Sequence, residues 1–280
     1  MRSYPHFAEK LFASPLMLHP PARAGFETYL LQRMGAGSIA EPPPPRRSQA
    51  DERSRRIQRV YEKRGRLGIV RIFGAIDKSL SELEMECFGG CDLADVDRAL
   101  AQAAADRTVD TVLLEINSPG GSVTGTPETA IRIAELRKTK EVHAYTETMA
   151  ASAAYWLASQ ADHITATPSS TVGSIGVYIA LTDESRALEM QGITVNLIKA
   201  GALKATGSWF KALEPEEREF LQAGVDRTWA DFKKACTSLR RIDEATMQGQ
   251  WFDGTEAKAR GLVDQLTNMN ADEYADLLAA

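Results

Sequence analysis

The segment from Thr148 to Tyr155 has residue types suited to acyl transfer, because its serine, Ser152, is flanked by alanines. Small neighbours let a substrate backbone approach the serine hydroxyl. The segment follows a predicted strand and begins a predicted helix, so free N–H groups and the positive end of the helix dipole would lie beside a developing oxyanion. A serine that only caps the helix fits the same segment equally well.

A second segment, from Asn117 to Ser122, places two adjacent glycines directly after a predicted central strand. The carboxyl ends of such strands are where open α/β sheets bind their ligands. Because Gly120 and Gly121 have no Cβ, their N–H groups can point inward, as an oxyanion hole requires. Taken alone, the pattern is more typical of an ordinary strand-to-helix turn.

A serine nucleophile also needs a base, and the histidines are poorly placed to serve. His163 would lie roughly 16 Å from Ser152 along an intervening helix. His143 precedes the serine turn at the far end of its predicted strand, and His6 and His19 belong to the N-terminal region. The sequence therefore gives little support to a histidine triad.

Lysine is the alternative base, and the segment from Lys199 to Ser208 contains a candidate in Lys204. A lysine accepts a proton only when it is neutral, and desolvation by small or apolar neighbours favours the neutral form. Lys204 has such neighbours. Lys199 and Lys211 remain competitors on sequence alone, and any of the three is also compatible with an ordinary surface lysine.

The elements around these segments predict how they are positioned. Short apolar runs alternate with helical periods, which is typical of βα units and a largely parallel sheet. The predicted strands cover residues 67–72, 111–116, 141–146, 163–166 and 195–198. The predicted helices cover residues 93–105, 127–138, 152–159, 184–191 and 215–241.

The region before this pattern differs in composition. A helix-like segment at 24–34 is followed by a proline run at 42–45 and by a charged run, which together indicate a stiff spacer and a solvated linker. We therefore expect an N-terminal arm and linker over residues 1–66 and a catalytic domain over residues 67–280.

Composition excludes several function classes. The chain has 280 residues, 44% of them hydrophobic, and a net charge of -5, so it can bury a substantial core but has no field for nucleic acid. No run approaches the ~20 apolar residues of a membrane span, and no signal-peptide pattern is present, so we expect a cytoplasmic protein. Three cysteines and four scattered histidines indicate neither a disulfide framework nor a metal site, and no cofactor is expected.

Together these segments resemble the signal peptide peptidase A family of serine peptidases, which shares the fold of the Clp protease subunit and the crotonases. The resemblance covers about residues 67–266. It is carried by four ordered segments: 117–122, 150–152, 168–177 and 201–210. It implies an α/β fold of stacked βαβ units with a mostly parallel sheet, and hydrolysis of peptide bonds by a Ser-Lys dyad.

The resemblance implies a role for each matching position. Ser152 corresponds to the nucleophile, Lys204 to the general base, and Ser174 to a second serine that holds the lysine amine. The oxyanion donors would be N–H groups of Gly120, Gly121 and Ala153. The sequence departs from the family pattern at two places. It has Ala153-Ala154 where the family often has Gly-Gly, and Trp209 where the family usually has proline. These departures favour altered specificity rather than lost activity.

The N-terminal segments Pro5-His6 and 15–18, with the arm up to Met34, look like the start of phage prohead proteases of the minor capsid protein C type. This likeness implies cleavage of scaffold or capsid proteins in the host cytoplasm or the assembling prohead, by a ring-forming homo-oligomer. Three alternatives stay open: a cytoplasmic signal-peptide or peptide-degrading peptidase of the same family, a non-catalytic capsid component, and a crotonase-like acyl-CoA enzyme.

Overall fold

The computed structural model describes three stretches of the chain: residues 16–18, 56–80 and 90–280. The described residues belong to two compact units. The larger unit lies within Met17–Gly176 and Phe232–Ala280, and the smaller unit contains Val177–Asp231 with Leu16. Ser152 and the two glycines belong to the larger unit, and Lys204 belongs to the smaller one.

The elements are as follows. The strands are β1 (Leu16–Leu18), β2 (Tyr61–Arg64), β3 (Leu67–Phe73), β4 (Ile76–Asp77), β5 (Cys91–Asp92), β6 (Thr111–Asn117), β7 (Gly120–Ser122), β8 (Glu141–Thr146), β9 (Met149–Ala151), β10 (His163–Ala166), β11 (Thr171–Gly173), β12 (Trp251–Asp253) and β13 (Gln265–Leu266). The α-helices are α1 (Leu93–Ala105), α2 (Thr126–Leu136), α3 (Ala153–Ala158), α4 (Ser185–Met190), α5 (Pro215–Cys236), α6 (Gly254–Ala259) and α7 (Ala271–Ala279). Residues 56–60 are also helical.

The main sheet of the larger unit has the strand order β13-β10-β8-β6-β3-β2 among the described residues. Every neighbouring pair is parallel except β2 and β3, which are antiparallel. Helix α1 packs on β3 and on α2, as expected for crossovers between parallel strands. The structure confirms the predicted α/β class, with stacked βαβ units and a mostly parallel sheet.

The centre of this sheet is buried on both faces, which explains its continuous apolar runs. Leu113 of β6 lies opposite Ile69 of β3 and opposite His143 of β8, and both Leu113 and Ile69 are buried. On one face, Tyr274 of α7 stacks on Tyr145 with 4.8 Å between the ring centroids. Helix α7 thereby covers the β3-β6-β8 part of the sheet.

Two smaller sheets lie at the carboxyl ends of the main strands. One has the order β1-β7-β4-β5 and the other has the order β12-β11-β9. Strand β7 contains the two glycines, and β9 ends one residue before Ser152. The connections between the main strands and the helices that follow them therefore contain short paired strands and are not open loops.

The strand predicted at 195–198 is wrong, because these residues form no strand in the structure. The alternation of Ile193, Val195 and Leu197 is typical of a strand, but none of the described strands pairs with this segment. The neighbouring Ile198 is 96% exposed. The other four predicted strands are confirmed to within one residue at each end.

The helix predicted over 215–241 ends earlier, at Cys236. Beyond it, the Arg240 guanidinium donates to the Asp264 carboxylate at 2.7 Å and to the Ser159 carbonyl oxygen at 2.9 Å. These bonds stabilise a non-helical course after Cys236. The other predicted helices within residues 67–280 are confirmed, with ends displaced by no more than two residues.

The predicted boundary at residue 66 falls between β2 and β3, which pair as an antiparallel hairpin. Most of the predicted arm, including the helix-like segment at 24–34, lies outside the described residues. The division into an arm and linker over 1–66 and a peptidase domain over 67–280 stays a prediction.

Candidate active site

Ser152 lies between β9 and α3 in a backbone conformation that serine rarely adopts. Its φ is 57° and its ψ is -122°, in a region that favours glycine, and such a conformation costs about 1–3 kcal/mol. The residue is 1% exposed. Its side chain makes no capping hydrogen bond to α3, so the capping role that the sequence left open does not explain this serine.

The flanks of Ser152 are held firmly. Ala151 pairs with Gly173 of the parallel strand β11, and the Ser152 N–H donates to the Gly173 carbonyl oxygen at 2.7 Å. On the other side, the Ser152 carbonyl oxygen accepts the first bond of α3, from the Trp156 N–H at 3.0 Å. Pairing on one side and a helix on the other stabilise the unusual turn.

Ser174, the predicted second serine, directly follows the partner of Ala151. Since Gly173 and Ala151 are paired, Ser174 and Ser152 leave two adjacent parallel strands at the same level. Ser174 also has a positive φ, 56°, and its N–H donates to the Gln250 carbonyl oxygen at 2.6 Å. The structure therefore brings these two buried serines into one neighbourhood.

The glycine turn is tied to the strand that precedes Ser152. The Ser118 N–H donates to the Met149 carbonyl oxygen at 2.9 Å, and the Ala151 N–H donates to the Ser118 carbonyl oxygen at 3.1 Å. Helix α3 also packs against β7. Gly120 and Gly121 thus lie beside the start of α3, where the sequence placed the oxyanion site.

Ser118 is a residue of the candidate site that the sequence reasoning did not single out. Its hydroxyl donates to the Gly74 carbonyl oxygen at 2.6 Å and accepts a hydrogen bond from the Gly120 N–H at 3.2 Å. A serine two residues before a turn glycine is a known signal for such local bonds. Ser118 therefore fixes the geometry of the turn that carries the predicted oxyanion donors.

The three predicted oxyanion donors differ in availability. The Gly120 N–H is already engaged by the Ser118 hydroxyl. Ala153 is the first residue of α3, and the N–H groups of a first helical turn have no acceptor within the helix. Gly121 lies in β7 opposite Ile76 of β4. The roles of all three N–H groups stay predictions.

Gly121 is also required for close packing. A Cβ at this position would meet the Ile76 carbonyl oxygen well inside contact distance and would lie 2.6 Å from the Ile76 nitrogen. Because both are backbone atoms, which cannot move aside as a flexible side chain can, we expect Gly121→Ala to be destabilising. The free energy of unfolding should fall by about 1–3 kcal/mol or more, and urea denaturation measures it. Gly224→Ala is the control. Gly224 is a half-buried residue of helix α5 where an added Cβ would have Arg227 Nη2 as its near neighbour, at 3.9 Å, so this variant should be neutral or stabilising. Equal stability of the two variants would contradict the close approach.

The three candidate lysines belong to the smaller unit and have different partners. Lys211 Nζ donates to the Glu217 carboxylate at 2.5 Å, and this bond raises the pKa of Lys211, so Lys211 is a poor base. Lys199 Nζ donates to the Ala202 carbonyl oxygen at 2.6 Å. Lys204 makes no ion pair with any described residue, and it is exposed rather than desolvated as the sequence suggested.

The described cysteines are unsuited to nucleophilic chemistry. Cys91 and Cys236 are buried, and desolvation raises the pKa of each thiol to about 12. Since thiolate is the reactive form, both should stay unreactive near neutral pH. Cys87 lies outside the described residues.

We expect the Cys87→Ser variant to take up no iodoacetamide at pH 8 while folded, because buried Cys91 and Cys236 stay protonated. The measurement is intact mass after alkylation. The same variant unfolded in urea is the control and should carry two adducts. Adducts on the folded protein would contradict the burial of these two thiols.

Within the described stretches, no group of three or more His, Cys, Asp or Glu side chains could hold a metal ion. Among the same residues, no helix is long and apolar enough to cross a membrane.

Comparisons with known proteins identify the family of the chain. The family model described as Peptidase family S49 matches residues 134–276, just over half of the chain. Capsid assembly protease C of Escherichia phage lambda is 30% identical over 282 residues, which cover 96% of this chain and 64% of that protein. A protein of Enterococcus faecium named as a signal peptide peptidase, SppA, is 35% identical over 173 residues, covering 60% of this chain and 50% of that protein.

The chain thus spans between half and two thirds of the length of these two relatives. Among solved structures, an enoyl-CoA hydratase from Shewanella pealeana aligns with a TM-score of 0.43 at 11% identity, over 82% of this chain and 75% of that chain. A similarity of this size does not bear on activity.

Proposed function

The chain belongs to peptidase family S49, as its resemblance to the signal peptide peptidase A family implied, and on this premise we propose that it is a serine endopeptidase with a Ser-Lys dyad. Ser152 is the nucleophile and Lys204 the general base. The observation that carries the proposal is the buried Ser152 with φ 57° at the start of α3. Strained backbone of this kind is concentrated at active sites.

The reaction has two steps. Neutral Lys204 accepts the Ser152 proton as the hydroxyl oxygen attacks the peptide carbonyl carbon. Protonated Lys204 then gives this proton to the leaving amine as the C–N bond breaks, which leaves an acyl-enzyme. In the second step Lys204 takes a proton from water, the water oxygen attacks the ester, and Ser152 recovers its proton as the carboxylic acid product leaves.

The residues around Ser152 stabilise this reaction. The Ala153 and Gly121 N–H groups face the oxyanion of the tetrahedral intermediate, and removal of one such donor costs on the order of a hundredfold in rate or more. Gly120 maintains the turn through Ser118. Ser174 holds the Lys204 amine beside the nucleophile. Desolvation of Lys204, which is exposed in the single chain, would come from bound substrate or from assembly.

The proposed biological role rests on a relative that aligns with nearly the whole chain. Capsid assembly protease C of phage lambda aligns with 96% of it, so we place this enzyme in phage capsid assembly, with scaffold or capsid proteins as substrates. It acts as a ring-forming homo-oligomer in the host cytoplasm or the assembling prohead. Degradation of signal peptides is the second candidate, favoured by the similarity to SppA of Enterococcus faecium.

The test of the proposed activity is hydrolysis of a library of fluorogenic peptides by the purified chain, with and without a serine-reactive fluorophosphonate. Cleavage that the reagent abolishes is the expected result. Sequence preference within the library then separates the two roles, because signal peptides contain an apolar region of about 7–15 residues. Cleavage confined to such apolar peptides would favour the second role. Cleavage that persists after full reaction with the reagent would contradict a serine peptidase.

Because the backbone at Ser152 is strained, a substitution that relieves the strain should raise stability while it abolishes activity. Glycine adopts positive φ without this strain, so Ser152→Gly is expected to raise the free energy of unfolding by about 1 kcal/mol while it removes the nucleophile. Ser79→Gly is the matched control, since Ser79 is exposed and has a φ of 62°. It should be stabilised similarly and keep its activity. Urea denaturation measures both, and a destabilised Ser152→Gly would contradict stored strain.

A further inference from the structure

The edge of β7 is occupied by a segment from far away in the sequence. In the sheet β1-β7-β4-β5, strand β4 pairs with one side of β7 and β1 lies along the other side. Strand β1 consists of Leu16–Leu18, about a hundred residues before the glycines of β7. Among the described strands, β1 is the one that covers this edge.

Strand β7 lies close to the candidate nucleophile, Ser152. The turn before β7 is bonded to β9 through the Ser118 carbonyl oxygen and the Ala151 N–H at 3.1 Å. Ser152 follows Ala151, and α3 packs against β7. A peptide whose carbonyl group lies between the Ser152 hydroxyl and the N–H groups of Gly121 and Ala153 would therefore run beside β7.

Extended peptides commonly bind by adding a strand to an exposed sheet edge, where main-chain hydrogen bonds supply affinity. The β7 edge is suited to this mode because β7 packs against α3, which begins directly after Ser152, and because β1 is the one described strand that pairs with this edge. We propose that Leu16–Leu18 occupies in cis the edge to which a substrate peptide adds. The N-terminal segment then competes with substrate and limits cleavage in trans, an effect that rests on the proposed function.

The sequence around β1 fits a short, displaceable strand. Pro15 directly precedes β1, and Pro20 follows it with His19 between them. Proline has no N–H to donate to a neighbouring strand. Pairing is therefore confined to a few residues. Because this segment is tethered to the same chain, its binding is intramolecular and does not depend on protein concentration, so it can compete with dilute peptides. The occupant sequence Leu-Met-Leu also predicts that the edge accepts extended apolar peptides.

The test measures binding separately from catalysis. In a strand, successive N–H groups point to opposite sides, so proline at both residues 17 and 18 must remove a donor that faces β7. Met17→Pro with Leu18→Pro is introduced into the Ser152→Ala chain. The probe is a fluorescein-labelled peptide with the sequence of residues 14–20, followed by fluorescence anisotropy. We expect it to bind the proline variant about tenfold more tightly, or more, than the Ser152→Ala parent.

The matched control carries two prolines outside β1, at Gly35 and Ala36, and should bind the probe as the parent does. Deletion of residues 1–20 is the second variant, in case the prolines disturb folding, and should match the β1 variant. Equal probe affinity for parent, proline variant and deletion variant would overturn the proposal.

Failure of the proposed function is recognised separately, by fluorophosphonate labelling of the chain with Ser152 intact. If Ser152 is labelled but disruption of β1 does not change probe affinity, the proposed serine nucleophile stands and the proposed competition by β1 fails. If Ser152 is not labelled but disruption of β1 tightens probe binding, the proposed activity fails and the proposed binding of peptides at the β7 edge stands.

Discussion

Replacing Ser152 with alanine is expected to lower kcat/KM for peptide hydrolysis on the order of ten-thousandfold or more, because the acyl-enzyme route disappears and only binding and the oxyanion donors remain. The structure gives this serine no competing structural task, since its side chain does not cap α3. Alanine should therefore leave the fold intact. The measurement is steady-state hydrolysis of a fluorogenic peptide, together with thermal denaturation to confirm folding.

The control for this variant is Ser238→Ala, which removes an exposed hydroxyl that donates to the Ala235 carbonyl oxygen at 2.7 Å. It should retain the rate of the parent. A Ser152→Ala enzyme that hydrolyses peptide at more than a few per cent of the parental rate would place the nucleophile elsewhere in the chain.

Replacing Lys204 with alanine is expected to lower kcat on the order of a thousandfold, with a smaller change in KM, since in the proposed mechanism Lys204 acts on the Ser152 proton and not in binding. Lys204 is favoured over Lys211 because it makes no ion pair with any described residue, whereas Lys211 is held by Glu217 at 2.5 Å. A neutral amine is easier to form without a carboxylate partner. Pre-steady-state acylation measures the step directly.

Lys211→Ala and Lys199→Ala are the matched controls in the same smaller unit. Loss of Lys211 leaves Glu217 without its partner and should reduce stability, while the acylation rate of the folded fraction stays near that of the parent. If instead Lys199→Ala slows acylation and Lys204→Ala does not, the base has been assigned to the wrong lysine of this segment.

The main sheet could be predicted because its strands are buried on both faces, so that β6 reads as the continuous apolar run Val112-Leu113-Leu114. The short strands could not be predicted in this way. Strands β7 and β9 contain only Gly120–Ser122 and Met149–Ala151, too few residues for a periodic pattern. They form because they pair with distant segments of the chain. Residues 195–198, by contrast, have the sequence pattern of a strand but form none, because no described strand pairs with them.

The position of Ser152 could be predicted from its small neighbours and from the family resemblance, but its backbone conformation could not. A φ of 57° arises from pairing of β9 with β11 and from the start of α3, which are tertiary effects. The bond between the Ser118 hydroxyl and the Gly120 N–H likewise depends on the turn geometry. The choice of Lys204 over Lys199 and Lys211 came from the resemblance, and the ion pair of Lys211 adds an independent reason.

The identity of the nucleophile is tested most directly by locating the adduct of a serine-reactive fluorophosphonate. The purified chain is labelled, digested, and sequenced by tandem mass spectrometry, with denatured protein as the control for non-specific reaction. We expect a single adduct, on the peptide that contains Ser152, formed by the folded protein only. An adduct on another serine, or no adduct while peptides are still hydrolysed, would contradict it.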